Sequence, residues 1–415
     1  MAVPQIRVFV DFASDTAFEI DPLILDSVTE GILDTNTLGS GVLPVEVTDL
    51  VTAVSIRRGR NRITSKFEYG TANVTLYDQN GDWNPVNPNG AYYPDLVPLR
   101  QIIIYATYGG NDYFLFSGYI TNYDTNFWRG TEDVSRVTLR CVDGFKLLAG
   151  ASISTVSGAP AGQLSGARVN AILDAIDYPV SLRDIDSGDS TLQADPGTVR
   201  TSLDALQVVE NSEFGGIFLD GHGVLNFKSR NNLISAPATS IYTFADDGTG
   251  ITYQNAKVEF DDTTLINSVT VERVGGTPQT AFDQTSIDTY FIHSGLRDGI
   301  IVQTDTEALN QAQGILATRK DPEPRIDSIE LDLYDDTVPQ RQLAGVDIEL
   351  LDGVTVTKTM PGNTSITQES VVIAIHHDIT KNSFKTTLFT SEPLLAGFVL
   401  DSSIDGILGE DVLSY

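Results

Sequence analysis

Val51-Thr52-Ala53-Val54-Ser55-Ile56-Arg57-Arg58-Gly59-Arg60-Asn61-Arg62 is a strand that runs into a cluster of charge. Val54 and Ile56 stand two apart among smaller or polar neighbours, the spacing that puts one face of a strand into a core. Four arginines then fall within six positions, 57 to 62. Working outward, the same period recurs at Ile6/Val8/Val10, Val74/Leu76, Ile102/Ile104 and Val137/Leu139. Turn clusters separate these runs: Asn80-Gly81-Asp82, Asn87-Pro88-Asn89-Gly90 and Gly109-Gly110-Asn111. Short strands punctuated in this way predict a β-barrel or sandwich over 47–150, preceded by an N-terminal strand and arm at 1–46.

The period changes past Ser157-Gly158-Ala159-Pro160-Ala161-Gly162, a linker between units. Ser165 reads as an N-cap, and Val169, Ile172, Leu173 and Ile176 form one helical stripe. A second helix is expected over Thr201–Asn211. Ile217-Phe218-Leu219 and Val224-Leu225-Asn226-Phe227 flank a turn and read as a hairpin. Residues 151–256 thus form a small α+β domain. Strands resume at Val269/Val271, Ile329/Leu331/Leu333, Val346/Ile348/Leu350, Val354/Val356 and Val371 to Ile379. One helix interrupts them, opened by the capping box Thr304-Asp305-Thr306-Glu307. This gives a second β-barrel domain at 257–393. Residues 394–415 hold three Asp, one Glu and no base, an acidic tail or an arm that packs on a neighbour. The fold class expected is mainly β with α+β insertions: two β-barrel-like domains flanking a small α+β domain.

The chain has 415 residues, 41% hydrophobic and 20% charged, a globular composition that excludes collagen, a coiled-coil rod and wholesale disorder. Acids outnumber bases 56 to 26, for a net charge of −30. Such a surface repels nucleic acid, whose affinity rests on Lys and Arg neutralising phosphates, without excluding one that merely passes by. The single cysteine, Cys141, excludes an intramolecular disulfide and any zinc site needing two thiolates. It reads as a small buried apolar residue. Met1-Ala2-Val3-Pro4-Gln5 lacks the features of a signal peptide, and no apolar stretch approaches the ~18 residues of a membrane span. The expectation is a soluble chain folded in a cytoplasm.

Enzyme signatures are missing: there is no Gly-rich loop ending in Gly-Lys-Ser/Thr, no Gly-x-Ser-x-Gly elbow and no His-Glu-x-x-His. Of the four histidines, His222 sits in the hairpin turn and His293 has no second ligand at metal-site spacing. His376 and His377 are adjacent on a strand, point to opposite faces and cannot chelate one metal. His377 is in phase with Ile373, Ile375 and Ile379 and reads as a hydrogen-bonded core histidine. Carboxylate pairs suited to glycoside hydrolysis cannot be picked out among 56 acids. Asp78-Gln79-Asn80-Gly81-Asp82-Trp83-Asn84 imitates the start of a calcium loop but lacks the required Gly and Glu positions, and reads as a tight turn. No catalytic, cofactor-binding or metal residue is assigned. The arginine run would suit a phosphate in isolation. On so acidic a chain it reads instead as guanidiniums paired with carboxylates of this chain or of a neighbouring subunit. Arg57, Arg58, Arg60 and Arg62 are therefore candidate assembly-interface residues.

From these residues a resemblance opens. Thr48 to Arg60 resembles the opening of the minor tail proteins of long-tailed bacteriophages, the tail-tip or baseplate hub proteins. In that group the segment is followed by a turn like Leu76–Pro85, a strand like Leu115–Ile120 and one ending like Cys141-Val142-Asp143-Gly144. Glu213–Phe227, Ile266–Val271, Ile375–Ile379 and Leu400–Leu408 are similar to later passages of the same family. Ser286–Phe291 departs from it where Tyr-Gly follows the Ser-Ile pair. The resemblance covers about residues 45–415, without a C-terminal extension of the kind that carries a peptidase, lysozyme or receptor-binding module in some hubs. It implies the phage hub fold and a structural virion protein with no enzymatic activity and no cofactor, assembled in the host cytoplasm and resident in the tail tip or baseplate. The implied assembly is a homotrimer whose six barrels continue the six-fold tail tube and gate DNA exit. Implied partners are the tail tube or distal-tail ring protein, the C-terminus of the tape measure protein and other tail-tip proteins. Phage DNA would pass the lumen without sequence-specific binding. Other readings are a hexameric distal-tail ring, a tail-tip adhesin for host glycan using Trp83, Tyr92, Tyr93 and Trp128, and a cell-wall hydrolase.

Overall fold

A computed structural model describes residues 3–12, 44–60, 67–127, 135–335, 337–362 and 364–392. Most of the N-terminal arm, Arg62, Trp128 and the 394–415 segment lie outside the described residues. The architecture is mainly β with α+β insertions, the class the sequence predicts. Among the described residues, one 13-stranded sheet runs through both halves of the chain. In the first half, strands Val51–Gly59, Thr71–Asp78, Ser135–Val142, Asn111–Phe127, Arg100–Tyr108 and Gln5–Val10 lie side by side in that order, each antiparallel to the next. In the second, Asn255–Glu259, Arg325–Asp332, Ser383–Ser391 and Thr364–Thr380 do the same. Gly353–Met360 pairs with the leading part of the long Thr364–Thr380 strand, and Tyr242–Ala245 runs parallel beside it.

The halves are joined where Val51–Gly59 pairs antiparallel with Thr364–Thr380, Arg57 opposite His376. Period-two alternation drives this. Ile56, Val74, Leu76, Ile102, Ile104 and Leu139 are fully buried, and one continuous apolar cluster extends from Val8 in the first strand to Leu388 in the last. Burial of so many branched side chains, at roughly 2 kcal/mol each, is the main force holding the two halves as one body.

The middle unit contains helix Ser202–Glu213, capped by Thr201 Oγ1 accepting from Asp204 N at 3.0 Å, and hairpin Gly216–Leu219/Leu225–Lys228. Helix Ser165–Asp174 buries Val169, Ile172 and Leu173 as its stripe requires. Ser165 is not its cap: Leu164 holds that position, and the Ser165 hydroxyl donates instead to the buried Glu213 carboxylate at 2.7 Å. Glu213 also accepts the backbone N–H of Asp189, Ser190 and Arg230, so a carboxyl group deep in the unit is fully hydrogen-bonded.

Among the described residues downstream of 257 there are three helices, not one. Asp305–Arg319 starts with the expected capping box and packs through Ala308, Ala312 and Ile315 on a separate three-stranded sheet carrying Val269 and Val271. Gln284–Tyr290 is a second helix. Pro339–Asp347 is the third, and it overturns the strand expected at Val346/Ile348/Leu350. There Val346 is buried from a helix and Ile348 and Leu350 from the turn after it, which mimics alternation.

Candidate functional site at the junction of the two β units

Alternation along Val51–Gly59 sends consecutive arginines to opposite faces. Arg57 faces outward and half-exposed, and its Nη2 donates to both carboxylate oxygens of Asp378, at 2.9 and 2.8 Å. Asp378 lies two positions along the paired strand from His376, Arg57's direct partner, within reach of a diagonal contact. Arg58 follows Val54 and Ile56 inward, and its side chain is 4% exposed. Its Nη1 donates to Glu349 Oε1 at 2.7 Å and to the Leu219 carbonyl at 3.4 Å. Glu349 Oε2 in turn accepts Gly221 N at 2.9 Å. One ion pair therefore clamps three parts of the chain: the first β unit, the middle hairpin and the turn after Pro339–Asp347. Beside it, burial pushes the Asp143 carboxyl up to about 7 against the pull of N–H bonds from Gly70 and Phe145 and of the Arg58 charge. Arg60 is buried over the ring of Phe67, 5.3 Å from its centroid. Burial draws its guanidinium down to about 10, which Glu210 opposes.

These arginines edge a cleft of about 510 Å³ that opens between the end of Val51–Gly59 and the strands Asn255–Glu259, Arg325–Asp332 and Ser383–Ser391. Tyr69, Ile373, Ala374 and Phe389 give it an apolar wall. Lys257 and Arg325 add positive charge, balanced in part by Glu259, Asp327 and Glu68. Arg325 Nη2 reaches Glu259 Oε2 and Asp261, each at 3.0 Å. Its Nε and Nη1 are buried and without a hydrogen-bond partner among the described residues, as is Arg60 Nη1. Unused, buried N–H donors beside an apolar wall suit a carboxylate or a peptide carbonyl. Sequence reasoning reached three of the cleft's arginines but neither Arg325 nor Lys257. Each is a lone base at a strand start or interior, and no local pattern marks it.

The other candidates find structural partners. His377 is 2% exposed, with Nδ1 at 2.9 Å from Thr386 Oγ1. His376, on the opposite face, lies 4.6 Å from the Phe389 ring. His222 stacks on Phe114 at 4.2 Å, docking the hairpin turn on the first β unit. Asp78 accepts the backbone N–H of Asp82 and Trp83, so this turn spends its carboxylate on its own backbone. Cys141 is buried, which raises its thiol pKa far above the usual range. Trp83 is fully buried among Phe12, Tyr92 and Tyr123 and offers no face to a sugar, whereas Tyr93 is exposed. Among the described residues, no cluster of three or more His, Cys, Asp or Glu is placed to hold a metal, and no helix is long and apolar enough to cross a membrane.

No protein-family model matches the chain, and no curated protein matches it in sequence. Solved structures do match it. The tail protein from Neisseria meningitidis MC58 superposes with a TM-score of 0.57 at 12% identity, over 94% of this chain and 97% of that one. The 43 kDa tail protein of prophage MuSo2 from Shewanella oneidensis gives 0.54 at 13%, over 85% and 96%. The chain has the fold of these tail proteins.

Proposed function

We propose that this chain is a structural component of a phage-type tail, the central hub of the tail tip, where three copies form a ring that joins tail tube to tip and gates DNA exit. The observation that carries this reading is the fold likeness to two tail proteins, one of them from a prophage, over nearly the whole length of each. In this arrangement the β units at 47–150 and 257–393 each contribute one barrel to a six-barrel ring, with the 151–256 unit between them. The ring contacts the tube or distal-tail ring protein, the C-terminus of the tape measure protein and other tip proteins. A net charge of −30 suits a lumen through which DNA slides without sticking. The Arg57–Asp378 pair, exposed at the junction, is the member of the arginine run best placed to meet a neighbouring copy. Arg58 and Arg60 act on assembly by holding the junction in shape.

Absolute mass in solution, by light scattering on a sizing column at moderate salt, tests the stoichiometry. Three times 44.9 kDa is expected. Six times that mass moves the reading to a distal-tail ring. A monomer, together with absence of the chain from purified tail tips by immunogold labelling, overturns it.

A further inference from the structure

We propose that the cleft between the two β units is the docking site of the chain's own C-terminal segment, residues 393–415. Charge complementarity is the first argument. The chain has 26 basic residues against 56 acidic ones, yet Arg57, Arg60, Lys257 and Arg325 gather at this cleft. Arg57 pairs with Asp378, Lys257 with Glu259 and Asp327, and Arg325 with Glu259 and Asp261, while Arg58 turns inward to Glu349. Arg60 and Arg325, at the edge of the cleft, are each more than nine-tenths buried and keep N–H groups without partners among the described residues. A buried guanidinium with spare donors is costly unless an oxygen completes it.

The second argument is the composition of the segment. Leu394-Leu395-Ala396-Gly397-Phe398-Val399-Leu400 is apolar, and Asp401, Asp405, Glu410 and Asp411 follow with no Lys or Arg among them. An apolar stretch and then carboxylates match the apolar wall and the cationic groups of the cleft. The third argument is where the described chain ends. Glu392 accepts from Gln368 Nε2 at 2.9 Å, and Gln368 Oε1 accepts Ile326 N at 2.7 Å, between the cleft residues Arg325 and Asp327. Phe389, three residues before that end, is itself part of the cleft wall. At roughly 3.4 Å per extended residue, the seven residues after Glu392 reach about 24 Å, enough to cross a space of this size. That proximity favours the segment of the same chain over one from another copy. The inference stands independently of the tail-hub reading.

Cysteine cross-linking in the full-length chain tests it. Thr263, exposed at the cleft, and Val399 are both changed to Cys. The native Cys141 is buried and does not compete. Thr263→Cys/Val399→Cys is expected to form an intrachain disulfide under mild oxidation. Its yield should be at least about fivefold above that of a control pair, Asn111→Cys/Val399→Cys, because docking raises the effective concentration at one site only. Replacing Asp401, Asp405, Glu410 and Asp411 with Lys should remove that excess. These changes lie beyond Glu392 and leave the cleft itself intact. Equal yields from the two pairs, an excess that survives charge reversal, or disulfides only between chains would each overturn the proposal.

Discussion

At His377 the Nδ1 proton can be placed by its neighbours. Thr386 Oγ1 gives its own proton to the Gly345 carbonyl at 3.1 Å, so it accepts from His377 Nδ1. Burial, then the charges of Arg58, His376 and Arg57, hold the ring's pKa down to about 3. The unfolded chain takes up this proton near 6.5, the folded chain only near 3. The contribution of His377 to stability is thus complete above 6.5 and is lost as pH falls toward 3. Asp143 has the opposite sign: with its folded pKa raised, its contribution is complete below about 4 and is lost as pH rises through about 7. His377→Asn keeps an N–H donor in place of Nδ1 and removes the titration. The variant should be about 1–2 kcal/mol less stable than the parent near pH 8, and the gap should narrow by about 1.4 kcal/mol per pH unit below 6.5. Urea midpoints at three pH values check this. A gap that stays constant would mean that the folded histidine charges normally.

The strand that joins the two β units depends on one glycine. Gly59 has φ +117°, and a Cβ there would lie 2.3 Å from the Ile373 carbonyl oxygen and 2.4 Å from Ala374 Cα. Next to it, Arg60 N donates to that same carbonyl at 2.9 Å, just where the ladder between Thr364–Thr380 and Ser383–Ser391 shifts register. Gly59→Ala forces both backbones apart and should cost on the order of 3 kcal/mol. Hydrogen exchange should quicken for the paired Ala374–Thr380 backbone. Unchanged exchange and a loss below about 0.5 kcal/mol would show that the bulge absorbs a methyl group. A second glycine settles the element that sequence alternation misassigns. Gly345 lets helix Pro339–Asp347 close on Leu333, whose Cδ2 would be 2.4 Å from a Cβ at that position. Val-Asp-Ile-Glu-Leu carries no local sign of that contact, and its period of two fits a strand as well as a helix end followed by a turn.

For the whole molecule, the continuous sheet and the shared apolar cluster have a thermodynamic consequence. Chains of this length ordinarily divide into separately stable units. Here strand pairing at the junction and the Arg58–Glu349 clamp make each β unit a wall of the other. The two are expected to unfold in one cooperative transition, with calorimetric and van't Hoff enthalpies in agreement. Two resolved transitions, each retaining one β unit, would show that the junction is weak. The smaller cluster around Val269, Val271 and Ala312 is apart from the main one and is the place where an earlier, local opening would start.

Much of this was legible in the amino-acid order. Alternation located most of the strands and put His376 and His377 on opposite faces, while helical spacing and capping residues placed the middle helices and the Thr304–Glu307 capping box, because those features depend on residues a few positions apart. The arginine run was recognisable as a set of guanidiniums in need of carboxylates, but its partners were not. Asp378 lies 321 residues from Arg57 and Glu349 lies 291 from Arg58. The sheet crossing that brings them together leaves no periodic trace, and Arg325 and Lys257 reach the cleft by the same long-range pairing. By itself the sequence determined the mainly β class and the chemistry available on each strand face. Only the tertiary structure decided that two β units become one sheet and that their scattered cations share one cleft, since both follow from contacts between residues that are strangers along the chain.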